Sequence, residues 1–175
     1  PVDLLFAEWF PSCDLTWNVE EGGDITVGSQ ILSVSGPSDS VLSCERVVLN
    51  ILGRLSGIAT RTSEWVSESG GVSIACTRKT AWGLMDKWAV HIGGGLTHRL
   101  SRADALMIKE NDLSVIGSKD DIGSAISSAI SSIDFEESAE FVVIEVQDSA
   151  QAISAAESWS ENQKIRGREG RIVIL

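Results

Sequence analysis

The sequence predicts an α/β protein: a small β-rich lobe, a long connecting helix, and then a parallel sheet covered by helices. Three observations carry this prediction. Residues 14–34 alternate apolar and polar side chains around glycine-rich turns, and residues 42–58 place apolar side chains at helical spacing. From residue 72 onward, short apolar runs alternate with helical stretches, the rhythm of βαβ units.

Each element has its own signal. In residues 14–34, Glu21-Gly22-Gly23-Asp24 and Val27-Gly28 are hairpin turn chemistry between short antiparallel strands. Gly36-Pro37-Ser38-Asp39 breaks the strand and supplies polar N-cap candidates. Leu42, Val48, Leu49, Leu52, Leu55 and Ile58 then define a long helix from about Ser40 into the sixties, with a kink expected near Ser56-Gly57. After Gly70-Gly71, residues 72–76 read as a strand, 84–90 as a helix and 105–108 as a strand. A helix over 120–133, a continuous apolar strand over 141–146, a helix over 150–159 and a strand over 172–175 complete the pattern. The Ser-rich stretch 124–132 keeps helical spacing and is not a linker. The expected divisions are a lobe over 1–38, a connecting helix over 39–70 and the parallel-sheet region over 71–175. An open doubly wound sheet and an α/β barrel both satisfy this order, and in either the ligand sits at the carboxyl ends of the strands.

Composition narrows the function classes. The 175 residues carry 14 Lys+Arg against 25 Asp+Glu, a net charge of −11, which disfavours a nucleic-acid surface because phosphate tracking needs a basic stripe. No apolar run approaches the roughly 18 residues of a membrane helix, and no basic-then-apolar leader opens the chain, so a cytoplasmic protein is expected. Cys13, Cys44 and Cys76 are odd in number and widely spaced, supporting neither a disulfide framework nor a zinc knuckle. With only His91 and His98 as imidazoles, a metal would be a hard cation held by carboxylate and phosphate. The chain opens on Pro1 and stops inside the apolar run Arg171-Ile172-Val173-Ile174-Leu175, so further sequence is expected beyond it.

The charge is unevenly placed. Between Thr77 and Lys109 lie Arg78, Lys79, Lys87, Arg99, Arg102 and Lys109 against only Asp86 and Asp104. In so acidic a chain, a cationic segment points to a bound anion. Arg78-Lys79 follows one predicted strand and Lys109 ends the next, which puts them on the ligand-binding rim. His98-Arg99 follows Gly93-Gly94-Gly95, where backbone without side chains approaches a ligand closely. Taken singly, Arg78-Lys79 reads as a solvated surface pair, His98-Arg99 as a loop salt bridge and Arg46 as an i, i+4 partner on its helix. Glu145 interrupts Val142-Val143-Ile144 and Val146 in a strand expected to be buried on both faces, where a carboxylate requires an Arg, a metal or a donor network.

Four blocks then resemble a known family in order and spacing. They are Cys44-Glu45-Arg46-Val47-Val48-Leu49-Asn50 through Arg54-Leu55-Ser56-Gly57-Ile58-Ala59-Thr60; Thr77-Arg78-Lys79-Thr80; Gly93-Gly94-Gly95-Leu96-Thr97-His98-Arg99; and Ile108-Lys109-Glu110-Asn111. They are similar to the signature blocks of quinolinate phosphoribosyltransferase, also called carboxylating nicotinate-nucleotide pyrophosphorylase. The resemblance implies a small α/β sandwich lobe followed by an incomplete α/β barrel, and a homodimer in which one subunit's lobe completes its neighbour's site. The implied reaction joins quinolinate to phosphoribosyl pyrophosphate with Mg²⁺, giving nicotinate mononucleotide, pyrophosphate and CO₂ in NAD biosynthesis. It also implies that Arg78, His98, Arg99 and Lys109 hold the quinolinate carboxylates and that Arg46 reaches the same substrate across the dimer. Lys79 and Glu145 would serve the phosphoribosyl pyrophosphate side, with Glu145 the metal ligand and Lys79, Lys109 and Glu145 the catalytic groups.

The sequence departs from the family pattern in places. Ala81-Trp82-Gly83 stands where Thr-Pro-Gly is usual, Thr97 where Asn is common, and Asp112 where His often follows the Asn. Two other readings remain beside the enzyme. One is a relative from molybdenum-transport operons, which typically lacks the block seen here as Ile108-Lys109-Glu110-Asn111; the other is a non-catalytic anion-binding module or half-barrel.

Overall fold

The computed structural model describes residues 1–101, 104–117, 121–133, 141–166 and 171–174. Arg102 of the cationic segment, Asp120 at the start of one expected helix and Leu175 at the end of the last expected strand lie outside the described residues. The chain forms two compact units, Pro1–His98 and Arg99–Leu175.

The first unit holds α1 (Val2–Trp9), β1 (Asp14–Trp17), β2 (Leu32–Ser35), α2 (Ser38–Glu68) and α3 (Leu84–Ile92). Val2 and Phe6, one turn apart on α1, pack with Cys44 and Val48, one turn apart on α2. Leu15, Leu32 and Val34 of the hairpin close this core from the other side. Burial raises the Cys44 thiol pKa, and the nearby Cys13 raises it further. β1 and β2 pair antiparallel, Asp14 opposite Ser35 and Trp17 opposite Leu32, as the alternation predicts. The turns fall where expected, with Gly22 and Gly28 at φ 77° and 87°. α2 runs 31 residues and remains helical through Ser56-Gly57, where a kink was expected.

Residues 72–76 depart from the predicted strand. They form a single parallel bridge, Ala75 to Leu96, in which Leu96 N–H donates to Ile74 O at 2.8 Å and Cys76 N–H to Leu96 O at 2.9 Å. Val72 stays exposed, and the partner segment leaves extended geometry at His98, whose φ is 58°. Neither end of the pairing can therefore be prolonged.

The second unit holds β3 (Ala105–Ile108), α4 (Glu110–Ile116), α5 (Ile122–Ser131), β4 (Phe141–Ile144), α6 (Ser149–Arg166) and β5 (Arg171–Ile174). The strands pair in parallel in the order β3-β4-β5, with Ile108, Ile144 and Ile174 in register at their carboxyl ends. Alternation sends Ile108, Val142, Ile144 and Ile172 to one face, where α5 and α6 cover them with Ala125, Ile126, Ala129, Ile130, Ala155 and Trp159. Ile126, Ile130 and Ile144 are fully buried, each stabilising by about 1.5–3 kcal/mol relative to exposure. α5 approaches α6 through small residues, and the Ser127 and Ser158 hydroxyls hydrogen-bond at 2.6 Å. The Ser-rich stretch is thus a helix in which Ser127 faces α6 while Ser124, Ser128 and Ser131 are exposed.

Candidate functional site

The candidate residues fall into two sets, one in each unit, and each set is described by itself. In the first, the Ala75–Leu96 bridge runs parallel, so Thr77-Arg78-Lys79 and Thr97-His98 leave from the same end of one short pairing. Arg78 and Lys79 are exposed; Lys79 N–H donates to Thr77 Oγ1 at 3.3 Å. His98 is buried, with only 5% of its surface exposed, and is the single non-glycine residue at positive φ among the described residues. Such a backbone is uncommon for a side-chain-bearing residue and concentrates at functional sites.

Two side chains of α3 hold these segments, and neither was assigned a role from the sequence. Asp86, 4% exposed, takes a bidentate ion pair from Arg54 of α2, with Nε to Oδ1 and Nη2 to Oδ2 both at 2.8 Å. Its Oδ2 also accepts the Trp82 N–H at 2.9 Å, and the Arg54 guanidinium lies 4.9 Å from the centre of a Trp82 ring. The Arg54 hydrogen bonds hold the Asp86 carboxyl below its ordinary range, against an opposing rise from burial. The turn after Lys79, where Trp82 stands in place of the family's proline, is therefore fixed by a cation stacked on its ring. Lys87, 6% exposed, donates to Thr97 O at 2.5 Å and lies 3.7 Å from Cys76 Sγ. One sequence signal could have found both: Asp86 and Lys87 stand four and three residues before buried Val90, on its stripe of the helix.

The glycine triplet has a different role from the expected cradle. A Cβ at Gly93 would sit 2.4 Å from Ala59 O and 2.7 Å from Thr62 Cβ, and one at Gly95 would meet Thr62 and Val90 side chains at 2.7 and 2.8 Å. Those glycines are demanded by close packing against α2 and the end of α3; only Gly94, at φ 85°, answers a backbone need.

In the second unit, Arg99 donates from Nη1 to Ala105 O at 3.1 Å and from Nη2 to Met107 Sδ at 3.2 Å, lying along β3. The chain after it is folded by Asp104, whose carboxylate accepts the Leu100 and Ser101 N–H groups and the Ser101 hydroxyl; these bonds, the hydroxyl first, lower its pKa. Lys109 and Glu145 each follow the last residue of a strand in matched register, and Lys109 Nζ lies 4.0 Å from Glu145 Oε2. Glu145 N–H still donates to Ile108 O at 3.0 Å, so its backbone remains tied to β3. The expected buried carboxylate is corrected here: β4 ends at Ile144, and the Glu145 side chain is 51% exposed. It carries no burial penalty and needs no donor network. Asp112 accepts the Lys109 N–H at 2.9 Å, so the carboxylate at the family's histidine position anchors the first turn of α4.

Arg46 lies exposed on α2, and no ion pair to it occurs among the described residues. The structure thus brings Arg78 and His98 to one bridge end and Lys109 and Glu145 to one strand edge.

Residues 58–163 match the family profile "Quinolinate phosphoribosyl transferase, C-terminal domain", and residues 3–56 match its N-terminal domain. The chain belongs to the quinolinate phosphoribosyltransferase family. It is 40% identical over 134 residues to quinolinate phosphoribosyltransferase [decarboxylating] 1b of Nicotiana tabacum, covering 75% of this chain and 36% of that protein. It is 43% identical over 117 residues to the chloroplastic nicotinate-nucleotide pyrophosphorylase [carboxylating] of Oryza sativa subsp. japonica, covering 66% of this chain and 32% of that protein. The crystal structure of NadC from Streptococcus pyogenes superposes with a TM-score of 0.69 at 29% identity, covering 99% of this chain and 66% of that one. The chain therefore spans about a third of the length of the curated relatives it matches. Its α/β class, with an N-terminal sheet lobe and parallel βα units in a partial barrel, is that of the quinolinate phosphoribosyltransferase family. The two family profiles meet at Gly57, inside the unbroken α2.

Proposed function

We propose that this chain carries the pyridine dicarboxylate-binding part of a quinolinate phosphoribosyltransferase, which joins quinolinate to phosphoribosyl pyrophosphate and releases pyrophosphate and CO₂. The observation that carries the reading is the parallel Ala75–Leu96 bridge, from one end of which both Thr77-Arg78-Lys79 and Thr97-His98 depart. A dicarboxylate calls for planar, charge-assisted donors, and Arg78 supplies a guanidinium fork on the segment that leaves the bridge alongside the one bearing His98. In this proposal Arg99 and Lys109 add to the carboxylate-binding set and Arg46 comes from a second copy of the chain. Lys79 neutralises phosphate oxygens.

Glu145 suits the ribosyl side, since a carboxylate stabilises the positive charge that develops on the ribosyl carbon as pyrophosphate leaves. Mg²⁺ fits this donor set in a restricted way. Among the described residues no group of three or more His, Cys, Asp or Glu is gathered to hold a metal, whereas exposed Glu145 offers one carboxylate. Mg²⁺ commonly takes one or two carboxylates with substrate phosphates and water, so Glu145 would hold an ion that arrives with the pyrophosphate group. When bound, the ion supplies charge neutralisation for that leaving group. Lys109, paired with Glu145 at the strand edge, orients the carboxylate, and the cationic set stabilises charge left on the pyridine ring when CO₂ departs.

Among the described residues no helix is long and apolar enough to cross a membrane. A homodimer working in the cytoplasm belongs to the same proposal; the rice relative is chloroplastic by name.

Calorimetric titration tests the reading, with quinolinate as ligand and nicotinate as the one-carboxylate control. Quinolinate is expected to bind at least tenfold more tightly than nicotinate, the equivalent of about 1.4 kcal/mol for the second carboxylate. Arg78→Ala, an exposed position, is expected to abolish quinolinate binding while leaving the melting temperature unchanged. Equal affinity for the two acids, or normal quinolinate binding by Arg78→Ala, overturns it.

A further inference from the structure

We propose that Lys87 is a positioning residue of the anion site: its ammonium fixes the Thr97 carbonyl, and with it the left-handed backbone of His98, against Cys76 at the head of Thr77-Arg78-Lys79. The quinolinate-binding arm of this inference rests on the function proposed above; the conformational arm does not.

Lys87 is 6% exposed on α3, deeper than Arg54 or any lysine or arginine to which the sequence assigned a role. Its neighbour Asp86 is already engaged by both guanidinium nitrogens of Arg54 and by the Trp82 N–H. The contacts of Lys87 are instead the neutral Thr97 O at 2.5 Å and Cys76 Sγ at 3.7 Å. Cys76 Sγ donates to the same Thr97 O at 3.1 Å, so one carbonyl receives two donors. Burying an ammonium against neutral groups is costly, and an apolar side chain of similar volume would fill the space without that cost. The return is geometric. The Thr97 carbonyl belongs to the peptide bond that enters His98, where φ is 58°. A backbone in that region persists only where its surroundings over-determine it. Pinning the peptide on its amino side sets the direction in which the imidazole leaves the chain. Because Cys76 shares the clamp, the two segments bearing Arg78 and His98 are held in one register.

The test uses the whole chain, isotopically labelled, with Lys87→Met and Lys87→Gln; the first keeps the apolar stem and the second keeps a shorter, neutral donor. The ¹³Cα and ¹³Cβ shifts of His98 report its backbone conformation, and quinolinate titration reports affinity. In folded Lys87→Met the His98 shifts are expected to leave their left-handed values, and the quinolinate Kd to rise roughly tenfold, the size expected for one charge-assisted hydrogen bond. Lys87→Gln is expected to move both readouts in the same direction by at least a few-fold in Kd, and it decides the matter alone if Lys87→Met does not fold. Unchanged His98 shifts with unchanged affinity in a folded variant overturn the inference. Failure of the wild-type chain to bind quinolinate overturns the proposed function instead, and the His98 shifts still decide the role of Lys87.

Discussion

Asp86 and Glu145 are both carboxylates beside a cation, and their environments give them opposite characters. Asp86 is buried, receives three donors and is held below the ordinary carboxylate range, chiefly by the Arg54 hydrogen bonds. Glu145 is half exposed, with its lysine at 4.0 Å, and a pair of that kind contributes little to stability. The sequence made Glu145 the conspicuous acid because it interrupts an apolar run, and gave Asp86 no prominence because a charged helix residue is usually solvated. Burial reverses that ranking, and burial is settled by packing partners 32 positions away in sequence, as Arg54 is from Asp86. The pH dependence follows from the sign of the shift. A folded-state pKa below the unfolded one means that the unfolded chain takes up the proton first on acidification. The stabilisation from Asp86 is complete above the unfolded carboxyl pKa of about 3.9 and drains away as pH falls through the lower folded value. Urea unfolding of the wild type and Asp86→Asn should show a constant stability gap from pH 7 to pH 5 that narrows below about pH 4. A gap that stays constant into strong acid would mean that the Asp86 carboxyl titrates alike in the folded and unfolded chain, so that the Arg54 hydrogen bonds do not hold it down.

At the level of elements, legibility followed hydrophobic period. α2, β3, α5, β4 and β5 each carry a pattern long enough to read, and each appears within a few residues of its expected place, whereas α6, expected over 150–159, runs on to Arg166 through polar residues that carry no apolar period. α1 has no counterpart in the sequence pattern, because Val2 and Phe6 stand at helical spacing but make only one buried apolar pair. α4 was missed because its seven residues bury only Leu113, too little to make a period. The expected strand at 72–76 shrank to one bridge because its partner turns away at His98. The glycine triplet was legible as special but not as to why, since what excludes a side chain there is the carbonyl of Ala59, on another element. Gly93→Ala separates the two explanations. A methyl group 2.4 Å from Ala59 O forces α2 and α3 apart, which should cost about 1–3 kcal/mol or more in chemical unfolding. A glycine kept open for a ligand would instead give a variant of normal stability and weakened anion binding.

Across the whole molecule the charge is divided, with six of the 14 cations gathered between Thr77 and Lys109 and most of the acids elsewhere. That division was legible in full, because net charge needs no fold; which of those cations are buried was not, because Lys87 is drawn inward by Thr97 O and Cys76 Sγ, groups on another segment of the chain. Arg46 lies outside the cationic segment, exposed on α2 near Leu42 and Leu49, which are 70% and 52% exposed. In the proposed dimer a second copy covers these apolar side chains and receives Arg46 at its own Arg78 and His98. A shared site has a consequence that no site within one chain can imitate. Arg46→Ala and Arg78→Ala are each expected to lose quinolinate binding, yet a heterodimer of the two contains one site with both arginines intact. After unfolding and refolding an equal mixture, half of the dimers are mixed and each has one good site of two, so titration should recover about a quarter of the wild-type sites at wild-type affinity. Recovery requires exchange of subunits, so the same variants mixed without refolding should stay inert for as long as the dimer does not dissociate. If the refolded mixture binds nothing while each variant remains folded, Arg46 and Arg78 act within one chain, and the exposed face of α2 has no part in the site.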